Sequence, residues 1–519
     1  MRSAAPRMSA DPARPPALPS RDADERLRDA VHPRGWINPE PRRRYDLVVA
    51  GGGTAGLVTA IGAAGLGARV ALIERGLLGG DCLNTGCVPS KAILRSARAA
   101  AEARRAAAFG VRVDGVAADF AAVMRRMRER RADISPHDSA ERLRAAGVDV
   151  YFGEARFTGS STIAVEGRTL PFRRAVIATG GRPAVPAIAG LDAVPYLTSE
   201  TLFALTEQPR RLAIIGAGAV GCEMAQAFAR LGTAVTLIDH DARVLPHEDA
   251  DASAILARRL TADGVNVVLG AKILGASPAG LEISGPGAGS GAALESGAGL
   301  GTGARLVSGA GLQPCDQLLV AAGRSPNIEA LDLAAAGVAF DAGGVIVDDH
   351  LRTTNRRIFA AGDVASQYKF THAADALARI VIQNALFFGR KRASALVIPW
   401  CTYTDPEIAH VGSYGGEAIT IYLADVDRAV VDEEREGFVR VHHNRGRLLG
   451  CTVVASRAAE MIGVAAHALT HGASLANLGS TIHPYPTLNN AFRAAGDAYA
   501  RTRLTPPIQR LLRRYFRLF

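Results

Sequence analysis

Two glycine fingerprints, each framed by strand, helix, strand and a closing acid, predict an α/β chain with two Rossmann-like dinucleotide-binding domains. A fingerprint-free mixed stretch from about Pro399 to Ala500 adds a C-terminal α+β domain. The length of 519 residues suits about three domains.

The first unit is YDLVVAGGGTAGLVTAIGAAGLGARVALIE. Leu47 to Ala50 is a short apolar strand, followed by Gly51, Gly53 and Gly56. A small-residue helix runs to about Gly65. A second strand, Val70 to Ile73, ends at Glu74, eighteen residues after Gly56. The glycines permit a tight turn and close approach to a pyrophosphate at the helix N-terminus, and the acid accepts from a ribose hydroxyl. The pattern repeats in RLAIIGAGAVGCEMAQAFARLGTAVTLID. Here Gly216, Gly218 and Gly221 precede Asp239, again eighteen residues after the third glycine. Two complete units imply two bound dinucleotides. An acid at Asp239 accepts from a free 2′-hydroxyl and repels a 2′-phosphate, which favours NADH, although Arg243 lies nearby.

Shorter pieces complete the framework. RRAVIATGGRP is a strand ending in Thr179-Gly180-Gly181, and IFAAGDVAS is a strand ending in Gly362-Asp363. Residues 275–311 are rich in Gly, Ala and Ser and are expected to be a flexible surface insertion.

Composition excludes several classes. Hydrophobic residues make up 48% of the chain and charged residues 21%, which fills globular cores. No apolar run reaches the roughly 18 residues of a membrane span. The net charge of +10 sits at the ends: residues 1–44 carry +4 and residues 501–519 carry +6, so the body is formally neutral. A nucleic-acid groove needs clustered charge on the folded body, and none is expected. The N-terminus has no hydrophobic signal-peptide core, so a cytoplasmic protein is expected, with residues 1–44 a disordered or loosely docked extension.

Cysteine usage points to redox chemistry. Six cysteines are too few for a secreted disulfide scaffold, and none forms a CxxC, so no metal site is expected. Cys82 and Cys87 stand with four residues between them in GGDCLNTGCVPSK, shortly after the first closing acid. A structural disulfide over so small a loop removes little chain entropy. A redox pair fits better, because Cys87 leads into a long Ala/Arg helix, and a helix N-terminus stabilises a thiolate.

GGDCLNTGCVPSK, with GGGTAG, ATGGRP, GAGAVGCE and AAGDVA in order, resembles the flavin-dependent pyridine nucleotide–disulfide oxidoreductases. This is the family of dihydrolipoamide dehydrogenase, glutathione reductase and mercuric reductase, and the resemblance covers about residues 45–500. It implies FAD on the first unit, NAD(P)H on the second, and a homodimer. The implied map is an FAD-binding domain in two parts, 45–200 and 324–395, around an NAD(P)-binding domain at 201–323. A dimerisation domain follows at 396–500. Cys87 would be the thiolate touching the flavin and Cys82 the interchange thiol. Lys91, one of only four lysines, would lie under the flavin and pair with Glu223. Asp363, with the Thr179-Gly180 turn, would serve the FAD side. His372, opening a helix at Thr371, would aim at the flavin or simply pack.

The resemblance breaks in STIHPYPTLNNAFR. Where disulfide-reducing members carry His and, further on, Glu, this chain has Tyr485 and Asn490. Tyrosine is a poor base at neutral pH and Asn takes no proton. His483, two residues upstream, would point to the same side as Tyr485 on an extended segment. Tyr485 resembles the mercuric reductases, whose substrate is a thiol-bound metal ion. No cysteine follows Cys451 or precedes Cys82, so the ion-handling cysteines of that branch are missing.

The expected activity is electron transfer from NAD(P)H through FAD and the cysteine pair to a soft metal ion or small electrophile. The alternatives are a dihydrolipoamide dehydrogenase using His483, and a slow flavin-bearing redox sensor. The tail, residues 501–519, reads as a basic amphipathic helix. Ile508, Leu511, Leu512, Tyr515, Phe516 and Phe519 fall on one face, and Arg510, Arg513, Arg514 and Arg517 on the other. It docks on its own dimer or makes peripheral contact with an anionic membrane through residues 506–519.

Overall fold

The computed structural model describes residues 21–286 and 308–518. They form two compact units, one of residues 21–242 and 264–396, the other of Arg243–Asp263 with 397–518.

The first unit holds both fingerprints. It opens with α1 (Arg21–Val31) and β1 (Tyr45–Ala50). Then come α2 (Thr54–Gly65), β2 (Val70–Glu74), the short α3 (Gly80–Asn84) and α4 (Cys87–Arg105). They are followed by α5 (Phe120–Ile134), β3 (Val148–Phe152) and β4 (Arg168–Ile177). The second fingerprint is β5 (Arg211–Ile215), α6 (Ala219–Arg230) and β6 (Ala234–Ile238). Next are β7 (Val265–Val268), β8 (Gln317–Val320), β9 (Ile358–Ala360) and α7 (Thr371–Leu386).

One seven-stranded sheet has a parallel part, β3-β2-β1-β4-β9, and Thr162–Val165 and Arg156–Gly159 extend it antiparallel from β4. A second runs β7-β6-β5-β8, also parallel. Their parallel strands are continuous apolar runs because both faces are covered: Leu47, Val48 and Val49 are fully buried, as are Ile214 and Leu237.

The N-terminal expectation is corrected for residues 21–44, which are docked; residues 1–20 lie outside the described residues. Helix α1 is amphipathic and puts Leu27 and Val31 into the core at 0% exposure. Its Asp24, 3% exposed, pairs with Arg131 of α5 at 3.0 Å. Downstream, Trp36 donates to the Val150 carbonyl, and Asn38 exchanges two bonds with Phe152, so this segment covers the β3 edge.

The insertion is also corrected. Lys272–Ser277, Gly280–Pro286 and Ser308–Pro314 pair as an antiparallel three-stranded sheet. Leu281 and Ile283, alternating with Glu282, are buried and give that strand an inner face. Its middle, residues 287–307, lies outside the described residues.

The second unit has an antiparallel five-stranded sheet of β10 (Trp400–Thr402), β11 (Glu407–Gly412), β12 (Glu417–Tyr422), β13 (Phe438–Asn444) and β14 (Arg447–Ala455). Its order is β10-β11-β14-β13-β12. Helices follow, among them α8 (Asn490–Thr502) and α9 (Pro506–Tyr515). The segment Arg243–Asp263, expected within the nucleotide domain, groups with this unit instead. The reason is polar: Glu248 accepts from Trp400 and Tyr414, and Arg440 pairs with Asp249 at 2.6 Å and Asp251 at 2.7 Å. Among the described residues no helix is long and apolar enough to cross a membrane.

Docking of α1 can be tested directly. Leu27→Ala is expected to destabilise by about 2–5 kcal/mol in urea unfolding. A midpoint equal to that of the parent chain would mean that α1 is not packed.

Candidate active site

Each fingerprint turn is held by two close approaches. A Cβ on Gly56 would lie 1.8 Å from the Gly51 carbonyl oxygen, and one on Gly221 would lie 1.8 Å from that of Gly216. Gly51 and Gly216 have φ of +108° and +107°, a region that strongly favours glycine. The middle glycines behave differently. A Cβ on Gly218 would meet nothing within 4 Å, and one on Gly53 only an ordinary contact with Gly80 at 3.6 Å. The tight places shape the turn, and the open places leave room for a phosphate, so the turns fit a dinucleotide.

The closing acids fix these loops. Glu74 accepts from the amides of Gly52 and Gly76, each at 2.6 Å, and burial raises its pKa. Asp239 accepts from Ala217 N at 2.5 Å and Asp241 N at 2.9 Å. Both carboxylates keep lone pairs for a ribose hydroxyl.

The ATGGRP turn is stitched to a second segment. Thr179 Oγ1 donates to the Asn327 carbonyl at 2.7 Å, Asn327 Nδ2 donates back to Thr179 O at 3.0 Å, and Asn327 N donates to Gly180 O at 3.0 Å. Asp363 accepts from Arg324 Nε at 3.0 Å; burial raises its pKa against that cation's pull. The same guanidinium donates to Asp81, the neighbour of Cys82, and to Gly181 O. Sequence reading missed Arg324 and Asp81. They stand 243 residues apart, and only the adjacency of Asp81 to Cys82 hinted at the site.

Cys82 lies in α3 and Cys87 opens α4, both as free thiols. Cys87 is pulled down to about 6, first by its hydrogen bond with Cys82, then by Thr371 and the charge of Lys91, against burial. The Cys82 thiol is pushed up, first by that same bond and then by burial. The Thr371 hydroxyl, 3.4 Å from Cys87 Sγ, was legible only as a helix start. At neutral pH the pair therefore holds a thiolate at Cys87 and a thiol at Cys82.

Lys91 sits one turn after Cys87 on the same helix face. Its Nζ donates to Glu223 of α6 at 2.9 and 3.2 Å, and Glu223 is 6% exposed. The cation is thus fixed near the thiolate. His372 is exposed and its ring lies parallel to that of Phe370 at 5.6 Å.

Tyr485 and His483 belong to the second unit. The Tyr485 hydroxyl donates to Asp427 at 2.9 Å, a bond that raises its pKa. His483 is partly buried, its Nε2 has no hydrogen-bond partner, and burial with the nearby charge of Arg493 lowers its pKa. The two residues take different neighbours, Asp427 for Tyr485 and Arg493 for His483.

Residues 45–378 match the pyridine nucleotide-disulphide oxidoreductase family, and residues 398–495 match its dimerisation domain. The chain belongs to this family. The family implies FAD and a pyridine nucleotide, and the second match supports a homodimer. Mercuric reductase of Staphylococcus aureus is 33% identical over 463 residues, covering 87% of this chain and 82% of that protein. Dihydrolipoyl dehydrogenase of Chlorobaculum tepidum is 33% identical over 474 residues, covering 88% and 97%. Among solved structures, the Cu(II) complex of the HOCl-induced flavoprotein disulfide reductase RclA from Escherichia coli has TM-score 0.73 at 26% identity, covering 88% of this chain and all of that one. LpdA from Mycobacterium tuberculosis has TM-score 0.74 at 26% identity, covering 88% and 99%.

The thiolate assignment predicts an alkylation rate that rises with pH through a midpoint near about 6. The thiolate is present above that midpoint and lost below it. Cys82→Ala is expected to move the midpoint up most, Thr371→Val less and Lys91→Met less again. A midpoint near 9 in the parent chain, the ordinary thiol value, would refute the assignment.

Proposed function

We propose that this flavoprotein oxidoreductase passes electrons from NADH to a soft metal ion such as Hg(II), or to a small electrophile, in the cytoplasm. The observation that carries this reading is the polarised cysteine pair. A thiolate at Cys87 beside a thiol at Cys82 offers soft sulfur ligands, while Tyr485 is bonded to an acid and is no base. The mercuric reductases among the relatives and the Cu(II) complex of RclA support a metal acceptor.

When bound, FAD supplies two-electron exchange between the nicotinamide and the cysteine pair. The chain's residues prepare that exchange. Gly51, Gly53, Gly56 and Glu74 would hold its nucleotide half, with Asp363 and the Thr179-Gly180 turn along it. Gly216, Gly218, Gly221 and Asp239 would hold the nicotinamide nucleotide, and the Asp239 carboxylate favours a free 2′-hydroxyl. Lys91, fixed by Glu223, supplies a permanent cation that favours negative charge at the reacting centre. Cys82, the less acidic thiol, would meet the acceptor.

A second reading is a dihydrolipoamide dehydrogenase. His483 favours it: its lowered pKa keeps the ring neutral at pH 7, and its Nε2 has no hydrogen-bond partner. The dihydrolipoyl dehydrogenase relative supports it as well.

NADH oxidation by the FAD-loaded protein, with Hg(II)–thiolate and lipoamide as parallel acceptors, separates the two. Turnover with the metal alone is expected. It should be lost in Cys82→Ser and Cys87→Ser and retained in His483→Ala. Turnover with lipoamide that His483→Ala abolishes would overturn the first reading. For the nucleotide, Asp239→Ala is expected to lower the preference for NADH over NADPH; an unchanged ratio would remove Asp239 from that role.

A further inference from the structure

The chain's last core residues are in α8, where Ala491, Phe492 and Ala495 are buried. The family match ends at residue 495. Helix α9 follows, started by Pro506 and Pro507, and every side chain from residue 501 to 518 is exposed. Ile508, Leu511, Leu512 and Tyr515 recur at helical spacing, with Phe516 and Leu518 beyond them. Leu511, Phe516 and Leu518 are 67%, 72% and 80% exposed. Arg510, Arg513, Arg514 and Arg517 take the other face, and Arg501 and Arg503 the approach. No acid follows Asp497. Among the described residues, none of these six arginines forms an ion pair.

We propose that α9 is a peripheral anchor that lays its apolar face into an anionic lipid bilayer. Charge decides between a bilayer and a second copy of the chain. Six guanidiniums with no acid need a surface of excess negative charge. Residues 45–500 are formally neutral, so another copy brings no such excess, whereas anionic lipid headgroups do. The helix is ten residues long, too short to span, so it lies along the surface with Tyr515 and Phe516 at the headgroup level. One such helix binds weakly, but a homodimer carries two, and the second engages at high effective concentration.

The FAD-loaded dimer should be sedimented with phosphatidylcholine vesicles, with and without phosphatidylglycerol, at low and high salt. About tenfold or more enrichment on the anionic vesicles is expected at low salt, and its loss at high salt. The double substitution Leu511→Asp with Phe516→Asp, and separately the replacement of Arg510, Arg513, Arg514 and Arg517 by Ala, should each abolish binding. NADH oxidation and the dimer mass should be unchanged in both. Equal partition onto neutral and anionic vesicles, or none onto either, would overturn the proposal. So would a fall from dimer to monomer on removing residues 504–519, which would give the helix to the second copy.

Discussion

The ion pair between Lys91 and Glu223 ties the redox segment to the second dinucleotide unit. Lys91 belongs to the helix that begins at Cys87, and Glu223 to the helix that begins at the second fingerprint. A nearly buried carboxylate with a cation on it is stable only while both partners stay in place. The pair therefore registers α4 against α6. It also fixes the positive charge that, with the Cys82 and Thr371 hydrogen bonds, holds Cys87 as a thiolate. Electrostatics and positioning are here one interaction.

That register rests on two closely packed, hydrogen-bonded fingerprint turns. Each third glycine lets a helix approach its strand closer than any side chain allows, and each closing acid clamps the turn through backbone amides. The same glycines that admit a phosphate also set where each helix starts. Helix α6 starts at such a turn, so Glu223 meets Lys91 from a backbone with little freedom.

Much of this was legible in the sequence, because glycine spacing, apolar runs and a closing acid are local signals. The parallel strands and the helices at the fingerprints follow from them directly. Of the contacts made across the chain, the Lys91–Glu223 pair was expected only through the family resemblance, and others were not legible. Nothing local says that Arg324 reaches Asp81, that Asn327 stitches Thr179, or that Thr371 hydrogen-bonds to Cys87. Composition misled in two places. Residues 21–44 look solvated because they are charged, yet one apolar stripe and one buried acid dock them. The glycine-rich 275–311 looks unstructured, yet its ends pair as strands, because the inward Leu281 and Ile283 outweigh the poor strand propensity of glycine. Tyr485 bonds to Asp427, and His483 lies by the charge of Arg493. Their different neighbours depend on a loop path that no periodicity encodes.

Asp24 lies outside the matched family residues, yet it reaches the Cys82 segment through one intermediary. It pairs with Arg131, whose other nitrogen donates to the carbonyl of Asn84, two residues from Cys82. Arg128, also buried, lies 3.9 Å from the same carboxylate. A shortened protein starting at residue 45, where the family match begins, would strand two guanidiniums in the interior and slacken the peptide that carries Cys82. For expression, the packed body of this chain thus begins at α1 rather than at the first strand.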